Sequence, residues 1–261
     1  MLTWWGTFEI AEGQAGRWRV GPLSLCATRN AGEWRLAWTK DGDALDDRLE
    51  VACPVDAAEV AEEGEVVRFL SNRMPEKLTL TPVLGDRPFV HRPQTPLCLL
   101  PDDEAALFVS SPVWLRVETG DPLHILTELP TWRPSDTWFG PATRGGELCY
   151  SNRTNARFNL RNVPVRPHRA ITQIVLRNDA DSLLRVERMS LPMPNLSLYV
   201  DADGDLWTGT VNLRRDRQGS LATIDLAAGP PAEAPEPRRV GGPRVPLHRN
   251  LLVRALGGLL D

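Results

Sequence analysis

Hydrophobic and polar residues alternate through much of this chain. Trp34, Leu36 and Trp38 occupy every second position of a segment that also carries Arg35 and Thr39. A period of two residues indicates a strand with one buried and one solvated face. The same period recurs at 78–81, 113–118, 196–200 and 207–213, and fuller apolar runs at 105–109 and 174–176 indicate strands covered on both faces. The pattern therefore predicts a chain built almost throughout from strands.

Turn-forming residues separate these segments at intervals of roughly 8 to 15 residues, a spacing typical of β-sandwiches and barrels. One short helix is predicted in the body, where Asp56 is a suitable N-cap, Glu59 follows three residues later, and Gly64 closes the segment. The predicted fold class is all-β, with two antiparallel β-sandwich-like lobes and at most one short helix in the body. A proline-rich C-terminal tail with the leucine spacing of a short helix follows.

Prolines and glycines interrupt the strand pattern between residues 130 and 146, which indicates a domain boundary there. We predict an N-terminal lobe over residues 1–133 and a C-terminal lobe over residues 134–228. One continuous sandwich would also fit the pattern. Because the last strand pattern ends at Leu226, residues 1–228 are expected to fold without the residues that follow.

The composition changes after residue 228. Residues 229–246 are rich in proline and glycine, which predicts a stiff, extended linker without a core. Residues 247–261 are predicted to be a docking segment, because leucines recur at helical spacing. The predicted partner-binding residues are Leu251, Leu252, Leu256, Leu259, Leu260, Arg249 and Arg254. The docking surface is left open between the chain's own acidic residues 41–65, a second copy and a separate, membrane-bound or soluble partner; a frayed terminus without a role is the simpler alternative.

The composition is that of an ordinary soluble globular protein, with 42% hydrophobic and 25% charged residues among 261. A net charge of −4 gives no general attraction to nucleic acid, so none is expected as a partner. No apolar run approaches the roughly 18 residues of a transmembrane helix, and the N-terminus lacks the pattern of a secretory signal. The isolated cysteines predict buried free thiols and a reducing, cytoplasmic location. They are Cys26, Cys53, Cys98 and Cys149.

Residues 201–205 resemble the first half of a calcium loop, with Asp201, Asp203 and Asp205 at alternate positions. A loop of the EF-hand type needs Gly at the sixth position and Glu at the twelfth, which here are Leu206 and Asn212. An Asp- and Gly-rich hairpin turn is the simpler interpretation. We therefore predict no bound metal and no stabilisation by calcium.

No motif for catalysis or for a cofactor occurs in the sequence, which lacks a nucleophile elbow, a P-loop and a dinucleotide fingerprint. We predict surface positions for His91, His124, His168 and His248. Paired carboxylates that cleave glycosides cannot be recognised by spacing. Glu118, Asp121 and Glu128 are an arbitrary shortlist for that chemistry. The tryptophans, which share faces with aliphatic residues, are predicted to be core residues and not an exposed platform for carbohydrate or single-stranded nucleic acid.

Five short motifs between residues 137 and 213, about a third of the chain, resemble a known family. They are Thr137–Pro141, Gly146–Tyr150, Ile174–Asn178, Val186–Arg188 and Leu196–Asp201. They are similar to the uncharacterised prokaryotic family of domain of unknown function 432. Members of that family often accompany membrane proteins that resemble small-conductance mechanosensitive channels, so the resemblance implies an accessory role and carries over no catalytic residue. The acidic segment 41–65 and the proline-rich tail lie outside the resemblance.

Together these features predict a non-enzymatic, cytoplasmic β-sandwich protein that acts by binding other proteins. Its leucine-rich tail would dock on a partner or on another copy, and the protein would serve as an accessory subunit of a membrane protein. The alternative is a carbohydrate-active hydrolase or lyase with carboxylates in a groove of the sandwich. A deep pocket with converging acids would favour that alternative.

Overall fold

A computed structural model describes residues 3–140, 145–217 and 222–246, together with the backbone of residues 256–257. The strands are β1 (Gly6–Glu9), β2 (Gln14–Val20), β3 (Leu23–Asn30), β4 (Glu33–Lys40), β5 (Leu49–Asp56), β6 (Glu65–Leu70), β7 (Lys77–Val83), β8 (Phe89–Pro93), β9 (Leu97–Leu99), β10 (Asp103–Pro112), β11 (Trp114–Thr119), β12 (His124–Pro130), β13 (Asp136–Phe139), β14 (Glu147–Thr154), β15 (Arg169–Asn178), β16 (Leu184–Val186), β17 (Arg188–Leu191), β18 (Leu198–Val200), β19 (Leu206–Thr208), β20 (Val211–Arg215), β21 (Ala222–Leu226), β22 (Arg238–Gly241) and β23 (Leu256–Gly257). Within these residues the only helices are 3₁₀ turns at Ala57–Glu59, Leu160–Asn162 and Met193–Asn195. The all-β prediction is confirmed.

The predicted short helix is a single 3₁₀ turn. The Asp56 carboxylate accepts a hydrogen bond from the Ala58 N–H at 2.9 Å, as expected of an N-cap. The helix ends after Glu59, and the side chains that follow contact the neighbouring sheet. Val60 packs on a small buried cluster there, and Glu62 forms an ion pair with Arg35 at 2.6 Å.

The chain divides into two compact units, and each is discontinuous in sequence. Unit 1 comprises residues 1–83, 112–133 and 166–168, and unit 2 comprises residues 84–111, 134–165 and 169–261. This division differs from two consecutive lobes that meet at residue 133. Residues 84–111 belong with the later part of the chain, since β8 pairs in parallel with β14 and β10 pairs with β15.

Unit 1 consists of two antiparallel sheets. One has the strand order β1-β7-β11-β12 and the other has the order β5-β2-β3-β4-β6. Phe8 of the first sheet contacts Trp18 of the second edge to face, with ring centroids 5.1 Å apart. The alternation seen in the sequence places Trp34, Leu36 and Trp38 in this core.

Unit 2 contains two larger mixed sheets and a small two-stranded one. The seven-stranded sheet has the order β21-β20-β15-β19-β18-β22 with β10 added to β15, the five-stranded sheet has the order β13-β14-β8-β17-β23, and β9 pairs with β16. Parallel pairs occur between β8 and β14 and between β15 and both β19 and β20. These long-range parallel pairs explain why unit 2 draws its strands from separate parts of the chain.

One predicted strand is divided in the structure. The period-two run at 207–213 is broken at Gly209, so that β19 and β20 are separate strands along β15. Ile171 pairs with Trp207, whereas Ile174 pairs with Val211, so the register shifts by one residue between the two strands. A side chain at position 209 would meet the carbonyl oxygens of Gly229 and Ala227 at 3.2 and 3.3 Å, which explains the glycine.

Candidate functional site

Residues 229–246 pack against unit 2, and the prediction of an extended linker without a core is wrong. Strand β22 pairs with β18, Val200 opposite Arg238. Ala234, only 5% exposed, belongs to a core cluster with Phe108, Ile171 and Trp207. The prolines lie outside β22, and residues 232–236 form turns and bends that bring Ala234 into the core of unit 2.

Three further hydrogen bonds hold the end of this segment on unit 2. The Val245 N–H donates to the Pro194 carbonyl at 3.0 Å, and Asn195 donates its side-chain amide to the Val245 carbonyl at 3.1 Å. Arg244 donates to the Leu84 carbonyl at 2.7 Å. The chain is therefore held on unit 2 as far as residue 245.

The leucine-rich tail reaches the edge of the five-stranded sheet in unit 2. Strand β23 pairs antiparallel with β17, with Leu256 opposite Met189 and Gly257 opposite Arg188. On its other side β17 pairs with β8, so β23 is the outermost strand of that sheet. Of the residues predicted to bind a partner, Leu256 thus lies in a strand, where the leucine spacing had indicated a helix. The other six lie outside the described residues: Leu251, Leu252, Leu259, Leu260, Arg249 and Arg254.

The receiving strand β17 is rigidly supported. Met189, Ser190 and Leu191 are buried, and they pair with His91, Val90 and Phe89 of β8. Arg188, at the start of β17, places its guanidinium over the Phe139 ring at 5.2 Å from the centroid. An edge strand with such support can accept an added strand without rearranging.

A buried polar cluster lies beneath this edge, and sequence reasoning missed it. His91 and Ser111 are fully buried, and the His91 Nε2 atom lies 3.2 Å from the Ser111 hydroxyl oxygen. Asn152 lies 3.3 Å from the His91 Nδ1 atom. Arg169, also buried, donates to the Ser110 carbonyl at 2.6 Å and to its hydroxyl at 2.9 Å. The prediction of surface positions is therefore wrong for His91 and His168, which are both fully buried. His124 is exposed, as predicted, and His248 lies outside the described residues.

The hydrogen bonds of this cluster determine which ring nitrogen of His91 carries the proton. The Asn152 amide nitrogen donates to the Ser110 carbonyl at 3.0 Å, and its oxygen faces Arg169 at 3.5 Å. The amide nitrogen must then donate to His91 Nδ1 as well, which leaves the ring proton on Nε2. With that proton His91 donates to Ser111 and cannot act as its general base. The Ser–His pair is therefore structural and not a nucleophilic site.

Acidification is expected to destabilise the protein through His91. Burial, together with the charge of Arg169, lowers the pKa of His91 to about 3, well below its ordinary value of about 6.5. Between these pH values the unfolded chain binds a proton that the folded chain does not, so the free energy of unfolding increases as the pH rises. His91→Gln should flatten the pH dependence of urea unfolding between pH 4 and 6.5, whereas the exposed-site control His124→Gln should not. Equal slopes for the two variants would contradict this assignment.

The Asp-rich loop is a hydrogen-bonded turn. Asp201 accepts from the N–H groups of Asp203 and Asp205 through one carboxylate oxygen and from the Trp207 indole through the other, at 2.7–3.0 Å. Both oxygens are thus used within the protein. Among the described residues, no three His, Cys, Asp or Glu side chains come together in a way that could hold a metal ion. The expectation that calcium does not stabilise the protein stays a prediction.

Ionisation of Asp205 is expected to lower the stability of the folded protein as the pH rises. Partial burial and the charges of Asp201 and Asp203 raise the pKa of Asp205 to about 6 from its ordinary value near 4. Between those values the folded chain holds a proton that the unfolded chain has lost, so the free energy of unfolding falls with increasing pH. Asp205→Asn should remove this component in urea unfolding measured from pH 4 to 7. The matched control is the exposed Asp225→Asn, and a response of Asp225→Asn equal to that of Asp205→Asn would refute the assignment.

The carboxylates considered for glycoside cleavage lie in the four-stranded sheet of unit 1 and its connecting turn. Glu128 forms an ion pair with Arg116 at 2.7 Å, and Glu118 accepts from the Thr81 hydroxyl at 2.9 Å. Asp121 is exposed in the turn after β11. These contacts bind Glu118 and Glu128 to their own sheet, and none of the three acids lines either of the two cavities described for the chain.

Most tryptophans are core residues, as predicted. Trp4, Trp18, Trp34, Trp38, Trp114 and Trp207 are buried. Trp5 and Trp132 are half-buried, and Trp138 is 41% exposed beside the exposed Leu148. The thiols of all four cysteines are free, but only Cys26 and Cys149 are buried as predicted; Cys53 is half-buried, and Cys98 is exposed on the short strand β9.

The fold and its edge site define an all-β protein of two discontinuous units, in which the C-terminal strand completes a sheet of the second unit. The chain belongs to the family described as "Protein of unknown function (DUF432)", whose model matches residues 4–260. The match includes both the acidic segment 41–65 and the proline-rich tail, which the sequence motifs had set apart. No curated protein and no solved structure matches the chain. Within the described residues no helix has the length and apolar character that a membrane crossing requires.

Proposed function

We propose that this chain is a non-enzymatic protein-binding module in which edge strand β17 of unit 2 receives an extended polypeptide segment. The observation that carries the proposal is the pairing of β23 with β17, Leu256 opposite Met189. The chain's own tail supplies that strand in the isolated protein. A partner protein, or the tail of a second copy, supplies a strand in its place when the protein acts.

The edge position of the described pairing supports exchange. Each backbone hydrogen bond between β17 and β23 contributes a net of about 0.5–1.5 kcal/mol, so that another extended segment can replace it. Because the chain is held on unit 2 up to Val245, the tail stays at an effective concentration on the order of millimolar near its own edge. A strand at this position covers the edge against aggregation and can be replaced by a partner segment that pairs with β17 more favourably.

A cytoplasmic location and an accessory role beside a membrane protein are part of this proposal. Four free thiols support a reducing compartment. The accessory role rests on the family resemblance and on no contact in the structure. A membrane-protein partner would have to offer an extended segment outside the bilayer, since strand addition needs free backbone groups.

A peptide competition experiment tests the proposal. A labelled peptide of residues 247–261 should bind the chain that ends at residue 246, with a Kd in the micromolar range. The full chain should bind the same peptide at least tenfold more weakly, because its own tail occupies β17. Fluorescence anisotropy measures both. A peptide with Leu256→Pro should bind poorly, because proline removes a strand hydrogen-bond donor.

A scrambled peptide of the same composition is the control for nonspecific binding. Equal binding of the peptide by the full and the shortened chain would contradict occupancy of β17 by the tail. Binding of the scrambled peptide with equal affinity would show a nonspecific hydrophobic contact. The hydrolase alternative gains no support from Glu118 and Glu128, which are held by neighbouring side chains of their own sheet.

A further inference from the structure

A groove of about 380 Å³ lies on the outer face of the five-stranded sheet in unit 1. None of the residues that line it takes part in the strand exchange proposed above. The groove exists because the side chains on its floor are small. Cys26 lies opposite Arg17 and Ala37 in the sheet, and Ala52 lies opposite Arg17 on the other side. Their neighbours Trp18 and Trp38 point to the opposite face, as alternation requires.

The segment after the 3₁₀ turn forms one wall of this groove. Val60 and Ala61 line it, and Val60 packs against Cys26 and Ala37. The floor and this wall together are apolar. Burial raises the pKa of the Cys26 thiol, so the thiol stays protonated and is a part of the apolar floor, not a nucleophile.

The arginines around the groove differ in how many hydrogen bonds and ion pairs they form within the protein. Arg19 donates to the Ser24 hydroxyl and the Asp41 carbonyl, both at 2.7 Å, and to Asp46 at 3.0 Å. Arg48 is bound to Asp46 at 2.5 Å. Arg17 is exposed and makes no hydrogen bond or ion pair within the part of the chain that the structure describes. It is therefore the cation available to a ligand.

The acids at the rim restrict what that ligand can be. Asp41, Glu50 and Glu63 line the groove together with the arginines. Their charges disfavour a multiply charged anion such as phosphate, whereas one carboxylate matches the planar fork of a single guanidinium. The apolar floor favours a short hydrocarbon body over a fully polar ligand, and the volume lies within the range of about 300–1,000 Å³ for small-molecule sites.

We propose that this groove binds a small organic monocarboxylate, with Arg17 pairing with the carboxylate and the apolar body lying on Ala52, Val60 and Ala61, which line the groove and keep exposed surface. Arg17 also selects against amines of the same length. Ala52 sets the length of the body that fits, because it is partly exposed at the edge of the floor. The site is independent of β17 and of the C-terminal tail.

Titration of the full chain with butanoate and hexanoate, followed by NMR of backbone amides, tests the site. Saturable shifts should be confined to β2, β3, β4, β5 and residues 60–63, with Kd in the millimolar range or tighter. Butylamine and inorganic phosphate are the ligand controls and should bind at least tenfold more weakly. Arg17→Gln should weaken butanoate binding at least tenfold, and Ala52→Leu should weaken hexanoate binding by a similar factor.

The matched variant control is Arg73→Gln, an exposed arginine outside the groove, which should bind both carboxylates as the unaltered chain does. Ala52→Leu lies at a partly exposed position, and its amide spectrum reports whether the sheet is intact. The proposal is overturned if butanoate gives no saturable shifts, if Arg17→Gln binds as the unaltered chain does, or if phosphate binds equally well. Unchanged hexanoate binding by a folded Ala52→Leu would overturn the placement of the apolar body.

Discussion

A chain that ends at residue 228 is expected to be markedly less stable than the full chain, by about 3–6 kcal/mol. The deletion removes β22 from its pairing with β18, and it removes the Pro235 carbonyl that accepts from the Ala202 N–H at 3.0 Å. It also removes Ala234 from the cluster that contains Trp207. Several backbone hydrogen bonds at about 0.5–1.5 kcal/mol each, together with lost apolar burial, add up to this range.

Urea unfolding and hydrogen exchange measure this effect. Protection of the β18 amides should fall most, because β18 becomes an edge strand on that side. A chain that ends at residue 246 is the control, since it keeps these contacts and should lie within about 1 kcal/mol of the full chain. If the chain ending at 228 shows the same urea midpoint and the same exchange in β18, residues 229–246 are an independent tether after all.

Replacing Asp201 with alanine is expected to cost about 3 kcal/mol or more of unfolding free energy. Asp201 is 7% exposed and accepts three hydrogen bonds, among them one from the buried Trp207 indole at 2.7 Å. The substitution leaves these donors without acceptors, and each buried unpaired donor costs about 1–3 kcal/mol. The loss should appear in urea unfolding followed by tryptophan fluorescence.

The matched control is Asp203→Ala in the same loop, because Asp203 is exposed. It should change the unfolding free energy by less than about 1 kcal/mol. A second readout comes from Asp205, whose pKa is raised partly by the Asp201 charge. Asp201→Ala should lower that pKa. Equal destabilisation by the two alanine variants would mean that loop flexibility, and not the buried acceptor, determines the effect.

His91 and Asp205, both in unit 2, have opposite effects on stability between about pH 4 and 6. His91 makes the protein more stable as the pH rises, and Asp205 makes it less stable. A nearly flat stability profile of the unaltered chain is therefore consistent with both assignments. Only the single variants separate the two contributions, and the double variant should respond as their sum because the sites share no partner.

Much of the strand content and the buried face of β4 could be predicted from the sequence alone, whereas β22 and β23 were not predicted. Alternation with a period of two depends only on neighbouring residues, and it correctly assigned Trp34, Leu36 and Trp38 to one buried face. The N-cap role of Asp56 is equally local. The family, which the motifs between residues 137 and 213 indicated, is confirmed over residues 4–260.

Only the tertiary structure decided which segments belong together and what captures the tail. The cluster around His91 joins residues up to 61 positions apart in the chain, such as Asn152 and His91 or Arg169 and Ser110, and no local pattern marks such pairs. Proline content indicated a free linker at 229–246, because composition predicts backbone stiffness alone. It carries no information on whether a strand such as β18 has an open side with which the segment can pair. Strand order likewise decided that β17 lies at a sheet edge and can receive β23, since hydrogen bonds between strands depend on which segments meet in space and not on their order in the chain.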